Sequence, residues 1–268
     1  MSLVPVLRSG LRSGLRSGLN PGGLIAGVTR DTASGWYFPA SAGEWTALMA
    51  FAGLATGNPS TANLCQEASG NLADSIGTVT LTLSGAGHLF NQAVAGFTRT
   101  AATTVDGTVG QKWINSTTAP DPSLTSTLYL TWIRMPAANP AAARDLVANA
   151  AGLDERVSTL TRQNVINGAS TVGTGNLGGT VQILAMQHDN TASAFNGYNL
   201  AEKIAGTFAA AATNTNFILG GQTVAAADAG YLYNAIFQGA AAELTQAQMR
   251  TLYQTLTRDA IVPVVIPW

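Results

Sequence analysis

From residue 61 onward the chain is written in short runs that alternate apolar and polar side chains, punctuated by glycine, asparagine, aspartate and threonine. Thr78-Val79-Thr80-Leu81-Thr82-Leu83 has period two, as does Thr127-Leu128-Tyr129-Leu130-Thr131-Trp132-Ile133. Similar runs fall at 155–160, 181–187, 216–219 and 231–238. Successive side chains of an extended strand point to opposite faces, so this period suits strands with one face on a core. Short strands at regular spacing, with turn chemistry between them, predict a β-sandwich or barrel. One segment changes period. Leu244, Met249 and Leu252 fall on one face of a helix predicted over 244–253.

Ahead of this text stands a different one. Residues 7–19 repeat Leu-Arg-Ser-Gly three times and end on a fourth leucine. Each glycine costs roughly 1 kcal/mol in a helix, and four leucines do not offset the entropy of ordering such a run. The segment therefore reads as an arm that orders only against a partner, with Leu7, Leu11, Leu15 and Leu19 as its apolar edge and Arg8, Arg12 and Arg16 as its cationic edge. Asn20-Pro21-Gly22-Gly23 closes it as a turn. Glu44–Phe51 predicts a short helix, with Ser41 as N-cap and Glu44 three residues on completing a capping box. The tail Ile261-Val262-Pro263-Val264-Val265-Ile266-Pro267-Trp268 is apolar, and its two prolines confine it to an edge strand or an extended contact. The expected organisation is an N-terminal arm over 1–30, a transitional segment with a short helix over 31–60, a β domain over 61–258 and an apolar tail over 259–268.

Charge narrows the partners. Only 10% of residues are charged, well under the usual quarter, which predicts a neutral surface rich in hydroxyls. Residues 1–30 hold four arginines and no acid, whereas the remaining 238 residues carry nine basic and fourteen acidic side chains. A basic arm on an acidic body suits docking on a second copy of itself or another anionic surface. Four arginines are too few to indicate nucleic acid, and no run reaches the ~20 apolar residues of a membrane span, so neither partner is expected. Cys65 is the only cysteine, which excludes an intrachain disulfide. No apolar stretch followed by a small-residue cleavage site opens the chain, so no secretory leader is expected.

Three stretches, in order, resemble the concanavalin A-like, laminin-G-like jelly-roll family. Leu64-Cys65-Gln66-Glu67-Ala68-Ser69-Gly70-Asn71-Leu72-Ala73-Asp74-Ser75-Ile76-Gly77 resembles its opening strand and turn. Residues 181–188 followed by Gly197-Tyr198-Asn199-Leu200 resemble its central strand and ligand-edge hairpin. Phe217-Ile218-Leu219-Gly220-Gly221, residues 230–237 and the 244–253 helix resemble its closing strands and helix. The chain lacks the family's central tryptophan and carries a looser hairpin, Asn196-Gly197-Tyr198-Asn199. The resemblance covers about residues 61–258. It implies an all-β fold, an antiparallel β-sandwich of jelly-roll type, here with one short C-terminal helix and the extended N-terminal arm. It also implies a glycan or calcium rim at Asp189, Asn190, Asn196, Tyr198 and Asn199, whose oxygens suit Ca²⁺. The alternative for these residues is a set of solvated turn positions.

No catalytic set is legible. A retaining glycosidase needs two carboxylates ~5–5.5 Å apart across a cleft, whereas Asp154 and Glu155 are adjacent and point to opposite faces of a strand. His88 and His188 have no motif tying them to a nucleophile or metal, and Gly173–Gly179 lacks the Lys-Ser/Thr ending of a phosphate loop and reads as a hairpin loop. No enzyme activity and no cofactor are expected, calcium aside. The reading that follows is a non-enzymatic structural component of a large assembly, anchored by its arm. Its fullest form is a bacteriophage capsid decoration or other virion surface protein, located in the virion, partnered by other virion proteins and forming a homo-oligomer. The alternative is a carbohydrate-binding or adhesion module for a cell-surface glycan.

Overall fold

The structure, a computed structural model, describes residues 24–54, 57–77, 79–84, 86–103, 112–115, 126–136, 144–149, 153–157, 162–166, 169–172, 178–189, 194–207, 217–220 and 229–268. The seven arm positions from Leu7 to Leu19, and Asn190, lie outside these residues.

Two antiparallel sheets face each other. In chain order the strands are β1 (Thr61–Asn63), β2 (Leu81–Ser84), β3 (Leu89–Ala93), β4 (Thr100–Thr103), β5 (Lys112–Asn115), β6 (Thr127–Arg134), β7 (Arg144–Asn149) and β8 (Leu153–Val157). After them come β9 (Arg162–Ile166), β10 (Ala169–Val172), β11 (Val181–Asp189), β12 (Ala194–Tyr198), β13 (Lys203–Thr207), β14 (Phe217–Gly220) and β15 (Gly230–Gln238). Among the described residues, one sheet has the order β13-β12-β11-β6-β15-β4-β3 and the other β10-β9-β8-β7-β14-β5-β2. Strand β1 shares one edge of β15 with β4: Thr61 pairs with Ile236, and Thr103 with Gly230. The fold is the all-β antiparallel sandwich that the period-two runs predict. The Gly173–Gly179 segment corrects its own expectation. The strands on either side of it, β10 and β11, lie in different sheets and do not pair as a hairpin, while residues 173–177 themselves lie outside the described residues.

The first sheet is buried on both faces. Tyr129, Ile133, Leu184, Met186 and Ile236 meet Leu146, Phe217 and Leu219 of the second sheet in the inter-sheet core. Tyr129 stacks on Phe217 there at 4.7 Å. The alternate positions Leu128, Leu130, Trp132, Ile183 and Ala185 face a second core. A bulge between Tyr231 and Tyr233 shifts the phase of β15 by one, so Leu232 and Tyr233 both enter this second core. Burial on both faces also explains the threonines of β6. Thr131 Oγ1 donates to Asn234 Oδ1, Asn234 Nδ2 to Asn63 Oδ1, and Asn63 Nδ2 to the carbonyls of Leu72 and Ala73. These buried polar groups are satisfied by one another rather than by solvent.

A third layer closes the second core. It consists of residues 24–40, helix α1 (Ala42–Phe51), helix α2 (Gln246–Leu256) and residues 259–268. Packing thus runs across the sequence boundaries at 60 and 258. Helix α1 has Ser41 as N-cap, accepting from Glu44 N–H at 3.3 Å. The Glu44 carboxylate does not return to the cap; it accepts from Ala40 N–H, Thr29 N–H and Thr29 Oγ1 and ties the incoming chain to the helix. Helix α2 carries a full capping box from Thr245 and Gln248. The tail adopts no strand; Ile266 and Trp268 are buried while Ile261, Val262 and Val265 are exposed.

Tyr233 pins the third layer to the sheet. Its hydroxyl accepts from Trp45 Nε1 at 2.8 Å and donates to the Pro39 carbonyl at 2.5 Å, all of it buried. Tyr233→Phe is expected to leave two buried polar groups unpaired and to lower unfolding free energy by about 2 kcal/mol. Urea denaturation with an unchanged m-value checks this; a loss under ~0.5 kcal/mol would mean that the indole finds another partner.

Candidate functional site

A groove of about 630 Å³ opens where the third layer meets one end of the first sheet. Its walls come from four places: residues 33–36, the turn 94–97 after β3, the end of β6 with the start of β11, and the tail at 261–264. Each wall is fixed by a bond that the sequence supplies.

Asp31 joins the first two. Its buried carboxylate accepts on Oδ1 from Ala33 N–H, Ser34 N–H and Ser34 Oγ, and on Oδ2 from Thr98 N–H, Thr98 Oγ1 and Arg99 N–H. Burial pushes this carboxyl up, but the hydrogen bonds from Thr98, Ser34 and Arg99 outweigh it and hold it below the usual 3.8. The tail is joined to residues 34–37. Ile261 N–H donates to the Ser34 carbonyl at 2.9 Å, and the Tyr37 hydroxyl donates to the Asp259 carboxylate while accepting from Ile25 N–H. Gly35 sits at φ +80°, and a Cβ there would fall 2.0 Å from the Asp259 carbonyl oxygen, so only glycine lets the tail approach. At the floor, Met135 N–H donates to the Thr180 carbonyl and Gly179 N–H to that of Pro136.

Trp36 and Phe97 meet edge to face, with ring centroids 5.3 Å apart, along one side of the groove. Ser34, Thr180 and Arg134 add polar groups, and Ile261 and Val262 form an apolar lip. Among the described lining residues there is no carboxylate, histidine or cysteine. The described lining residues offer apolar contact, an aromatic edge and hydrogen bonds.

Of the residues predicted as a glycan or calcium rim, Asn196 and Tyr198 converge on the side-chain oxygen of Gln187, each donating to it, while Asp189 stands nearer the hairpin tip and Asn190 lies outside the described residues. Asp189 pairs with Ala194 near the tip of the β11–β12 hairpin, Asn196 with Gln187 farther along, and Tyr198 with Ala185 beyond that. Asn196 Nδ2 donates to Gln187 Oε1. Tyr198 is buried under Trp268, and burial together with the Asp189 charge pushes its hydroxyl up to about 12. Asn199 is buried too, its Oδ1 accepting from Ala201 and Glu202 N–H. The reason is the third layer, which covers the hairpin end that the resemblance leaves open. No group of three or more His, Cys, Asp or Glu side chains suited to a metal occurs among the described residues. Asp154 and Glu155 occupy neighbouring positions of β8. No helix among the described residues is long and apolar enough to cross a membrane.

The groove residues Trp36, Phe97 and Arg134 escape sequence reasoning because they sit 98 positions apart and share no spacing rule. The one signal was Trp36-Tyr37-Phe38, an aromatic run outside any periodic segment.

No family model and no curated protein sequence matches the chain. Solved structures do. Trypanosoma rangeli sialidase superposes with a TM-score of 0.56 at 10% identity, covering 94% of this chain and 39% of that one. A structure of botulinum neurotoxin type C, titled for its dependence on two ganglioside molecules in cell entry, gives 0.54 at 11% identity, covering 74% of this chain and 51% of that one. The binding domain of botulinum neurotoxin DC in complex with SialylT gives 0.53 at 11% identity, covering 74% and 52%. The chain thus spans well under half of the sialidase and about half of the toxin structures. At such identity the likeness is one of fold, a jelly-roll-like β-sandwich.

Proposed function

We propose that the chain is a carbohydrate-binding module of the concanavalin-like, laminin-G-like kind and that the groove between the third layer and the first sheet is its glycan site. The observation that carries this reading is the lining itself. Phe97 presents a half-buried aromatic surface for the C–H face of a sugar, backed by the buried Trp36, and Thr180 and Arg134 supply hydrogen-bonding groups beside it. The fold likeness to a sialidase and to a toxin domain bound to SialylT adds support. Binding without turnover fits a lining that offers no carboxylate pair among its described residues.

An assembly role in a virion rests on the repeat at residues 7–19, outside the described residues, and neither the fold nor the comparisons add to it. In the present reading the repeat serves as the module's attachment device.

A glycan array probed with the full chain tests the proposal. Ala95 lines the groove and is exposed, so Ala95→Trp fills the site without entering the core. Wild type is expected to bind at least one glycan class, and Ala95→Trp to lose at least tenfold in affinity with an unchanged melting temperature. A chain that binds no saccharide sinks the reading.

A further inference from the structure

Resting on that glycan reading, we infer that the groove takes a sugar bearing a carboxylate and that Arg134 is the residue that holds it. Arg134 ends β6 at the point where three strands meet, opposite Val181 of β11 and Gly230 of β15. Gly230 makes room for it: a Cβ at that position would lie 3.2 Å from Arg134 Nε and 3.3 Å from the Ala101 methyl. The guanidinium therefore lies across a strand position kept bare.

Neighbouring charged groups outside the groove lining are tied into the fold. Asp31 is saturated by its six donors. Arg99 lies 4.5 Å over the Phe38 ring and donates to the Leu64 carbonyl. Asp259 accepts from Tyr37. Arg134 is the only charged side chain among the described lining residues. Arg134 also engages another group of the chain. Its planar fork has five N–H donors, enough to keep that partner and grip a carboxylate as well. The apolar side of the groove, from Trp36 to Ile261 and Val262, suits a sugar whose other face carries apolar substituents. A neutral sugar fills the same walls without using the cation, so the arginine turns a general site into a selective one.

Isothermal titration of the full chain decides this with four probes: sialyllactose, its methyl ester, lactose and galacturonic acid trisaccharide. Wild type is expected to bind at least one of the two acids tenfold or more tighter than lactose, with the ester falling back to the lactose level. The two acids distinguish an α-keto acid sugar from a uronic acid as the source of the carboxylate. Arg134→Gln is expected to remove the preference, and Arg134→Lys to restore part of it. Should Arg134→Gln fail to fold, the comparison of acid with ester on the wild type still decides. Equal affinity for acid, ester and lactose overturns the carboxylate inference and leaves the glycan reading standing. Binding of none of the four, with an empty glycan array, overturns both.

Discussion

Asp31→Asn is expected to cost about 3–5 kcal/mol of unfolding free energy, a large share of a typical domain's stability. The carboxylate has two oxygens, and each accepts from two backbone N–H groups and one hydroxyl. Asparagine keeps one acceptor and puts an NH₂ where the other stood. Whichever way it turns, two buried backbone donors face another donor, at about 1–3 kcal/mol each. The hydroxyl can rotate to accept; the backbone cannot. The sign of the pH dependence follows from the same bonds. A carboxyl held below 3.8 in the folded state contributes stability at all pH values above 3.8 and loses it as pH falls through its lowered folded value. The gap between wild type and Asp31→Asn should therefore be full at neutral pH and narrow below pH 3.8. A gap that stays constant down to pH 2 would mean that the carboxylate charge contributes nothing.

Trp268→Ala should cost about 3–4 kcal/mol, in the range for emptying a buried aromatic site. The indole packs against Tyr198 at 4.9 Å and Tyr253 at 5.3 Å, and its Nε1 donates to the Asn199 carbonyl at 2.8 Å. Removing it opens a cavity between the β12 strand end and helix α2 and releases the turn that Asn199 organises. Trp268→Phe keeps most of the packing, loses only the N–H bond, and should fall by about 1–2 kcal/mol. Thermal unfolding of the pair separates packing from hydrogen bonding. If Trp268→Ala unfolded within ~1 kcal/mol of wild type, the tail would not be docked in solution.

The strands were legible because period two survives even in sheets buried on both sides; β6, β11, β14 and β15 fall within two residues of their sequence expectations. What the pattern concealed was the second core. Thr127 and Thr131 alternate with leucines in the manner of solvent-facing positions, yet both are buried, because a Thr–Asn–Asn network satisfies Thr131 from within the fold. The segment 31–60 looked transitional for a related reason. Trp36, Tyr37 and Phe38 are contiguous, so no strand or helix period marks them, and only a loop folded back on the sheet buries all three. The groove inherits that blindness. Its walls are assembled by Asp31 and Gly35, whose roles depend on residues 67 and 224 positions away. Where the family resemblance placed Tyr198 and Asn199 on a rim, Trp268 of the third layer stands.

The sharing of one edge of β15 by β1 and β4 sets a clock for synthesis. Thr103 waits 127 residues for Gly230, and Thr61 waits 175 for Ile236. At about 5–20 residues per second, β4 leaves the ribosome roughly 6–25 s before its partner exists, and β1 roughly 9–35 s before. Until residue 189 is made, β6, apolar on both faces, lacks β11, and until residue 238 it lacks all of β15. Closure of both cores thus waits for residues 230–238, with high contact order and slow folding. A nascent chain stalled before residue 230 presents unpaired, two-sided strands of the kind that chaperones hold, and release of β15 is the event that lets both cores form.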